Sequence, residues 1–488
     1  MGDTSREQRA QGSLIASTIG DALGWPYEFN SGNQNRGSNM DSKFVSWQRK
    51  NRYPFWHVET IKKGNYSDDT QLALAIARSL LSKDWVNYFT RVEYPYWLAY
   101  ERGAGRAVKK AAAIWKKGNI PWMSEESGDY FWAGGNGGAM RILPHVIRGM
   151  DNEIESVIDE VTEDVIISHG HPRAILGATC YAFALYYLFN KQGVLRFAEL
   201  IDVLIDGRKI WGAAPNREKF REWLEVAQNR SGYNYSSEWN ACYTNMLKCL
   251  EYIKQSLNDG LLSDDRNVLE NIGAYSKVSG AGDVAILVAV YFFSKYINTP
   301  ELAISIPAFS VGIDTDTIAS MAGGLVGAFC GCEWIPLEWK DVQDYSYICS
   351  LAKDLCGACE SVETLEFDMS KNVILDTIDI ESKYSTISIS ECRTIFGQTI
   401  YLKEIKKNVE KKSVEEKSIE EKEVDRDKIS ISISQIEHML EDEDLSRITL
   451  RKAMNIVCLK HKGMKVDEIA KKLKIDNMLV SSMLGYFK

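Results

Sequence analysis

With 488 residues, 45% of them apolar and 26% charged, the chain has the make-up of an ordinary folded protein, which excludes collagen-like, mucin-like and wholly disordered classes. A prior of about 150 residues per domain gives roughly three domains, unless one large helical unit absorbs two of them. The net charge of −9 argues against a general nucleic-acid binder.

The first residues, MGDTSREQRAQG, contain no apolar signal region, and Arg6 stands where a myristoylation pattern wants Ser or Thr. The longest nearly apolar run, Ala174 to Phe189, falls short of the roughly 20 residues that a bilayer span needs. A cytoplasmic protein without a membrane segment is expected. Ten cysteines in so long a chain, most inside apolar stretches, read as reduced thiols. Cys330/Cys332 and Cys356/Cys359 have the close pairing of a four-thiolate zinc site, but YICSLAKDLCGACE is ordinary helical core spacing.

From Gln11 to about Glu360 the chain is a succession of helical patterns, taken here as one all-α domain over residues 1–361. In GDALGWPYEF small residues end a helix and Pro26 imposes an extended turn that presents Glu28. A helix is predicted over 71–81, preceded by Ser67-Asp68-Asp69-Thr70. Gly134 to Arg141 (GGNGGAMR) is a glycine-rich turn able to point several N–H groups at one oxyanion, and it is neither a Walker loop nor a dinucleotide fingerprint. His169 precedes a predicted core helix over 171–189, and a further buried helix is predicted over 282–297. Asp314-Thr315-Asp316-Thr317 precedes a predicted helix over 316–331.

Helix capping accounts for one acid at each of the two acidic clusters. It leaves unexplained the second acid and the hydroxyls, crowded where like charges repel. A hard divalent cation removes that repulsion by taking carboxylate and hydroxyl oxygens.

After Glu360, LEFDMSKNVILDTIDI, YSTISISECRTI and GQTIYLKEI alternate β-branched and polar residues, the period-2 signal of short strands, placed over 362–402. Residues 403–428 carry nine basic and nine acidic side chains and read as a charged linker, since their five-residue repeat builds no helical stripe. Residues 429–488 form a small helical unit. Within it a short helix (Val466 to Leu473), a turn and a second helix (Asn477 to Tyr486) are arranged like a helix-turn-helix, with Lys471, Lys472 and Lys474 suited to phosphates. The same spacing suits a docking or oligomerisation module, so both a DNA and a protein partner stay open.

The ordered set GDALGWPYEF, YSDDTQLAL, GGNGGAMRI, SHGHPRAILGA and GIDTDTIASMAGGLVGA resembles the ADP-ribosylglycohydrolase family, which includes dinitrogenase reductase-activating glycohydrolase. The resemblance covers about residues 10–360. It implies an all-α orthogonal helical bundle with a cleft for two Mg²⁺ or Mn²⁺ ions, and removal of ADP-ribose from an ADP-ribosylated protein, nucleic acid or small molecule. By motif position Ser67, Asp68, Asp69, Asp314, Asp316 and Thr317 match the metal ligands, and Gly135, Asn136, Gly137, Gly138, Ala139 and Met140 match the diphosphate loop. His169 matches a residue near the ribose and phosphates. Glu28 matches an acid beside the metals. Asp68 or Asp316 is the expected base, with Glu28 next, and an oxocarbenium-like transition state is expected. Two departures stand out: Ile313 follows Gly312 where two glycines are common, and Ser67 replaces a frequent Thr. The alternative reading is a sensor of ADP-ribose or a related nucleotide, whose C-terminal unit contacts DNA or a partner.

Overall fold

The computed structural model describes residues 5–28, 43–52, 55–215, 218–258, 260–357, 369–382, 385–407, 465–473 and 480. The chain divides into two units, Met1–Val409 and Glu410–Lys488.

The first unit is built on a helix pair. α1 (Arg6–Gly24) begins at a capping box in which the Ser5 hydroxyl accepts from Gln8 N and the Gln8 side chain accepts from Ser5 N. Gly12, Ala16, Gly20 and Gly24 recur every four residues and so form one stripe of small side chains. That stripe meets a matching one, Thr315, Ala319, Gly323 and Gly327, on a later helix (Thr315–Cys330). A Cβ at Gly20 would lie 2.1 Å from Ala319 O, one at Gly24 2.3 Å from Thr315 O, and one at Gly323 2.1 Å from Ala16 O. The two backbones therefore touch, as only glycine permits. This contact fixes the end of α1 against the start of its partner, where the acids lie.

Around this pair, α1 and α9 (Thr315–Cys330), pack α2 (Asp68–Leu80), α3 (Arg106–Lys116), α4 (Ile154–Ile166), α5 (Pro172–Asn190), α6 (Tyr235–Leu257), α7 (Gly282–Tyr296), α8 (Pro300–Phe309) and α10 (Tyr345–Cys356), among shorter helices and turns. Four of these lie where the periodicity predicts them. α5, α7 and α9 are buried along nearly their whole length, which explains their near-continuous apolar sequence.

Two features depart from the all-α reading of residues 1–361. An antiparallel hairpin, β1 (Trp47–Asn51) and β2 (His57–Ile61), interrupts the helices. Its inward face carries His57 and Glu59 as well as Ile61, so the apolar alternation that marks a strand is missing. The meander predicted after residue 361 forms β3 (Val373–Glu381), β4 (Ser385–Arg393) and β5 (Thr399–Lys407). β5 runs five residues past the 402/403 boundary read from composition.

The meander is tied to the helices. Thr399 donates to Asp344 through both N and Oγ1 (2.8 and 2.7 Å), and Arg78 donates to Gln398 Oε1 at 2.7 Å. Lys403 N donates to Ala99 O at 3.3 Å, and the Arg102 guanidinium lies 3.6 Å from the Tyr401 ring centre. The eight cysteines among the described residues are free. No described helix is long and apolar enough to cross a membrane.

In the second unit the described residues form α11 (Val466–Leu473), with Ile469 and Ala470 buried and Lys471 exposed. The second predicted helix, the linker over 408–428, Cys359 and Lys474 lie outside the described residues, Val480 excepted.

Candidate active site

Helix ends converge on one cleft. After α1, Trp25–Tyr27 makes a single tight turn, and Glu28 follows in extended backbone. α2 begins with Ser67 as its N-cap, the hydroxyl accepting from Asp69 N at 3.2 Å. Asp21, wholly buried within α1, accepts from Ser67 N at 3.0 Å, Thr70 N at 3.0 Å and Thr70 Oγ1 at 2.6 Å. One carboxylate thus pins the start of α2 to α1. α9 begins after Asp314, and the Asp316 carboxylate accepts from Thr317 N at 2.8 Å. The turn before it needs a single glycine: Gly312 has φ +92°, whereas Ile313 is buried in the core.

The glycine-rich loop forms the facing wall. Asn136 N donates to Gly280 O at 3.0 Å and Gly282 N to Gly134 O at 3.1 Å, stitching the loop to the entry of α7. Asn136 Nδ2 donates to Asp314 Oδ2 at 2.9 Å. Gly137 and Gly138 lie in a single 3-10 turn (Asn136–Gly138), of which Gly137 is on the cavity wall. A Cβ at Gly137 would come within 2.5 Å of Val108 and 3.2 Å of His169, so the loop owes its shape to close approach. Behind it Arg141 donates to Gly137 O at 3.1 Å and to the Asp164 carboxylate at 2.9 Å. His169 shares a 2.8 Å hydrogen bond with Ser168 through Nδ1. Burial, then the Arg141 charge, pulls its pKa down to about 3, so the ring is neutral and acts as a hydrogen-bonding group.

The cavity between these walls has a volume of 420 Å³. It brings together Glu28, Asp68, Asp69, Asp314, Asp316 and Thr317 with Gly135, Asn136, Gly137, Met140 and His169. Three sequence candidates lie outside its lining: the Ser67 hydroxyl is engaged in capping, and Gly138 and Ala139 are packed beneath the loop. Sequence reasoning missed Asp21 behind the cavity and, in its lining, Trp25, Arg49 and the segment from Gly103 into the first turn of α3 at Val108. Gly103, at φ +108° and with its Cβ position 2.7 Å from Asp68 Oδ1, is the signal that a GAG triplet offered.

Five carboxylates share this cavity. Burial and then mutual repulsion raise Asp68, Asp69 and Asp316 well above the usual carboxylate range. Glu28 is pushed up to about 7 by burial and by Asp314, with Arg49 pulling the other way. Asp69 Oδ1 is buried without a hydrogen-bond partner. Such a cluster is costly for the bare protein and suits a hard divalent cation, which takes oxygen donors and favours the ionised acids.

Among the described residues the three-ligand group converging within 4.8 Å is elsewhere, at His171, Glu238 and Cys242. There His171 Nδ1 accepts from Arg173 N, burial pushes the Cys242 thiol up to about 12, and the thiol donates to Glu238. The group is a hydrogen-bonded packing cluster. In the cleft, each of α2 and α9 offers two acids, leaving part of an octahedral shell to hydroxyl and water oxygens.

The sequence profile described as ADP-ribosylglycohydrolase matches residues 2–364. An ADP-ribosylhydrolase ARH3 from Xenopus tropicalis is 26% identical over 360 residues, covering 68% of this chain and 90% of the relative. The ADP-ribosyl-[dinitrogen reductase] glycohydrolase of Rhodospirillum rubrum is 24% identical over 195 residues, 39% of this chain and 61% of its own length. A solved structure described as an ADP-ribosylglycohydrolase-related protein complex superposes with a TM-score of 0.47 at 18% identity, over 72% of this chain and 98% of that one.

Proposed function

The chain belongs to the ADP-ribosylglycohydrolase family, and from that premise we propose that it hydrolyses the bond between ADP-ribose and an acceptor, using two Mg²⁺ or Mn²⁺ ions. The observation that carries the proposal is the placing of five acids, three of them buried, opposite a glycine loop whose Gly137 lines the same cavity. Asp68, Asp69, Asp314, Asp316 and Thr317 would hold the ions, and Ser67 would hold α2 in place through its cap. When bound, the ions supply Lewis-acid polarisation and an acidified water.

The remaining work falls to the protein. The loop from Gly135 to Gly137, which carries no bulky side chain into the cavity, receives diphosphate oxygens at its backbone amides. Neutral His169 orients ribose or phosphate by hydrogen bonding without adding a charge. Asp316 or Asp68 takes the proton of the attacking water at a carboxylate oxygen. The acids around them stabilise positive charge developing on the ribose. Glu28, with a pKa near 7, sits at the mouth in either protonation state and can return a proton to the departing acceptor.

The test is calorimetric titration of the full chain with ADP-ribose in Mg²⁺. Wild type is expected to bind, and Gly137→Val to bind at least roughly tenfold more weakly, because a Cβ 2.5 Å from Val108 and 3.2 Å from His169 forces the loop out of place. Equal affinity in a variant with unchanged melting temperature contradicts the diphosphate role.

A further inference from the structure

The hairpin adds to the cleft a charge that the acid cluster does not use. In the register of β1 and β2, Trp47 lies opposite Ile61 and Arg49 opposite Glu59. These four residues therefore share one face, which turns toward the helices. Trp47 meets Trp25 edge-on at 5.2 Å, and the Arg49 guanidinium lies 5.8 Å from the Trp25 ring centre. The natural counter-ion of Arg49 would be Glu59. That carboxylate is already held by Arg102, whose Nε and Nη2 donate at 3.0 and 2.7 Å, and by Lys403 at 3.3 Å. Among the described residues the Arg49 guanidinium makes neither a hydrogen bond nor an ion pair, its charge acting on Glu28 and Glu59 only at longer range. Its five donors face a cleft that it lines together with Glu28.

Position within the cleft says what those donors meet. The glycine loop is tied to Asp314 through Asn136. Gly103 closes the other side, its Cβ position lying 2.7 Å from Asp68 Oδ1 and 3.4 Å from Trp25 Nε1. The carboxylates thus stand between the glycine loop and the Trp25–Arg49 wall. On the hydrolase reading, on which this inference rests, the diphosphate occupies the loop and the scissile bond the carboxylates. The group beyond that bond, the acceptor, then faces Trp25 and Arg49.

We propose that Arg49 is a specificity residue for the acceptor, selecting ADP-ribosylated peptides that carry an acidic side chain beside the modified residue. A guanidinium held against an aromatic face and free of partners recognises a carboxylate with paired, charge-assisted hydrogen bonds. A polyphosphate acceptor suits the site less well, because five acids and a net charge of −9 repel a long run of negative charge that one or two carboxylates do not present. Arg106, the other arginine of the lining, has an 89% exposed side chain and lies 3.6 Å from Asp129. The unpaired charge nearest the reacting bond is therefore that of Arg49.

The experiment compares kcat and KM of the full chain, with Mg²⁺, on serine-linked and arginine-linked ADP-ribosyl peptides made in two forms, flanked by glutamates or by lysines. An oligonucleotide ADP-ribosylated at a terminal phosphate is the third probe. Wild type is expected to favour the glutamate-flanked form roughly tenfold in kcat/KM, chiefly through KM. Arg49→Gln brings that ratio close to one, Arg49→Lys keeps a few-fold preference, and Arg49→Glu reverses it. A wild-type ratio near one, a ratio that survives Arg49→Gln, or faster turnover of the oligonucleotide than of either peptide overturns the assignment of Arg49 while leaving the hydrolase reading standing. Release from none of the probes overturns the hydrolase reading and this inference with it.

Discussion

Asn in place of Asp316 is expected to lower turnover of an ADP-ribosylated substrate by roughly a thousandfold or more, the scale on which removal of a general base or of an essential acid is felt. Asp316 sits in the first turn of α9, and its carboxylate accepts from Thr317 N at 2.8 Å. The Asn amide oxygen can keep that bond, so the helix start should survive. What is lost is an ionisable carboxyl from a cavity in which burial, then Glu28, Asp314 and Asp69, disfavour its charged form. In metal-free protein the substitution should therefore leave the melting temperature unchanged or raise it, since it relieves repulsion between buried acids. The pair of results, activity lost and stability kept, separates a functional carboxylate from a structural one. It is read from initial rates and a thermal melt of the same preparation. Turnover within tenfold of wild type contradicts the role given to Asp316.

The second large effect is one of stability. Arg102→Ala strips a buried guanidinium from Glu59 and leaves a carboxylate of which 3% is exposed with the Lys403 ammonium at 3.3 Å and the Asn51 amide at 3.4 Å. Breaking a buried pair by removing one partner costs about 3–5 kcal/mol, and the loss of the contact over Tyr401 adds to it. The pH dependence has a definite sign. Burial raises the Glu59 pKa, but Arg102, Lys403 and Arg49 outweigh it and bring the group down to about 2. A depressed carboxylate contributes stability that is present above its unfolded value, near 4.5, and is lost as pH falls through about 2. Without Arg102 that depression shrinks. The variant should then lose stability with acid at higher pH than wild type, as denaturant unfolding at pH 7, 5 and 4 would record. A penalty under 1 kcal/mol at pH 7 contradicts the view that this pair joins hairpin, cleft loop and sheet.

How much of this was legible beforehand depends on where the information sits in the chain. α2, α5, α7 and α9 were readable because each spans more than ten residues and is apolar on the faces that pack. The two acidic clusters and the glycine loop were readable because capping and interhelical turns leave their extra acids and glycines unexplained. The hairpin was hidden, since its inner face holds Arg49, His57 and Glu59, whose burial depends on partners far away in sequence. Arg102 and Lys403, which satisfy Glu59, lie 43 and 344 residues from it. Asp21 was invisible for a related reason: a single acid inside an Ala- and Gly-rich helix gains meaning only when the amides of Ser67 and Thr70 arrive beside it. The end of the sheet was misplaced because charge content stood in for structure. In KEIKK, residues 403–407, Lys403 turns inward to Glu59, whereas Glu404, Ile405 and Lys406 are exposed, so the segment is a strand through its pairing with β4 and not through a pattern legible in its composition.

The sheet also bears on what the family comparison covers. The matching region ends at residue 364, yet the first unit continues to Val409, and β5 supplies Lys403 and Tyr401 to the network behind Arg49. The segment following the family's helical region thus braces the hairpin that enters the cleft. On the proposed reading, this segment supports the wall of the cleft that faces the acceptor.

The measurement that tests the central claim most directly is release of free ADP-ribose from serine-linked, arginine-linked and nucleic-acid-linked substrates, each with Mg²⁺, with Mn²⁺ and with chelator. Release from at least one linkage in the presence of either metal, falling to background with chelator, is the predicted result. Release that is indifferent to chelator, or retained binding of ADP-ribose with no release from any linkage, would contradict it, the latter pointing to a sensor built on the same cleft.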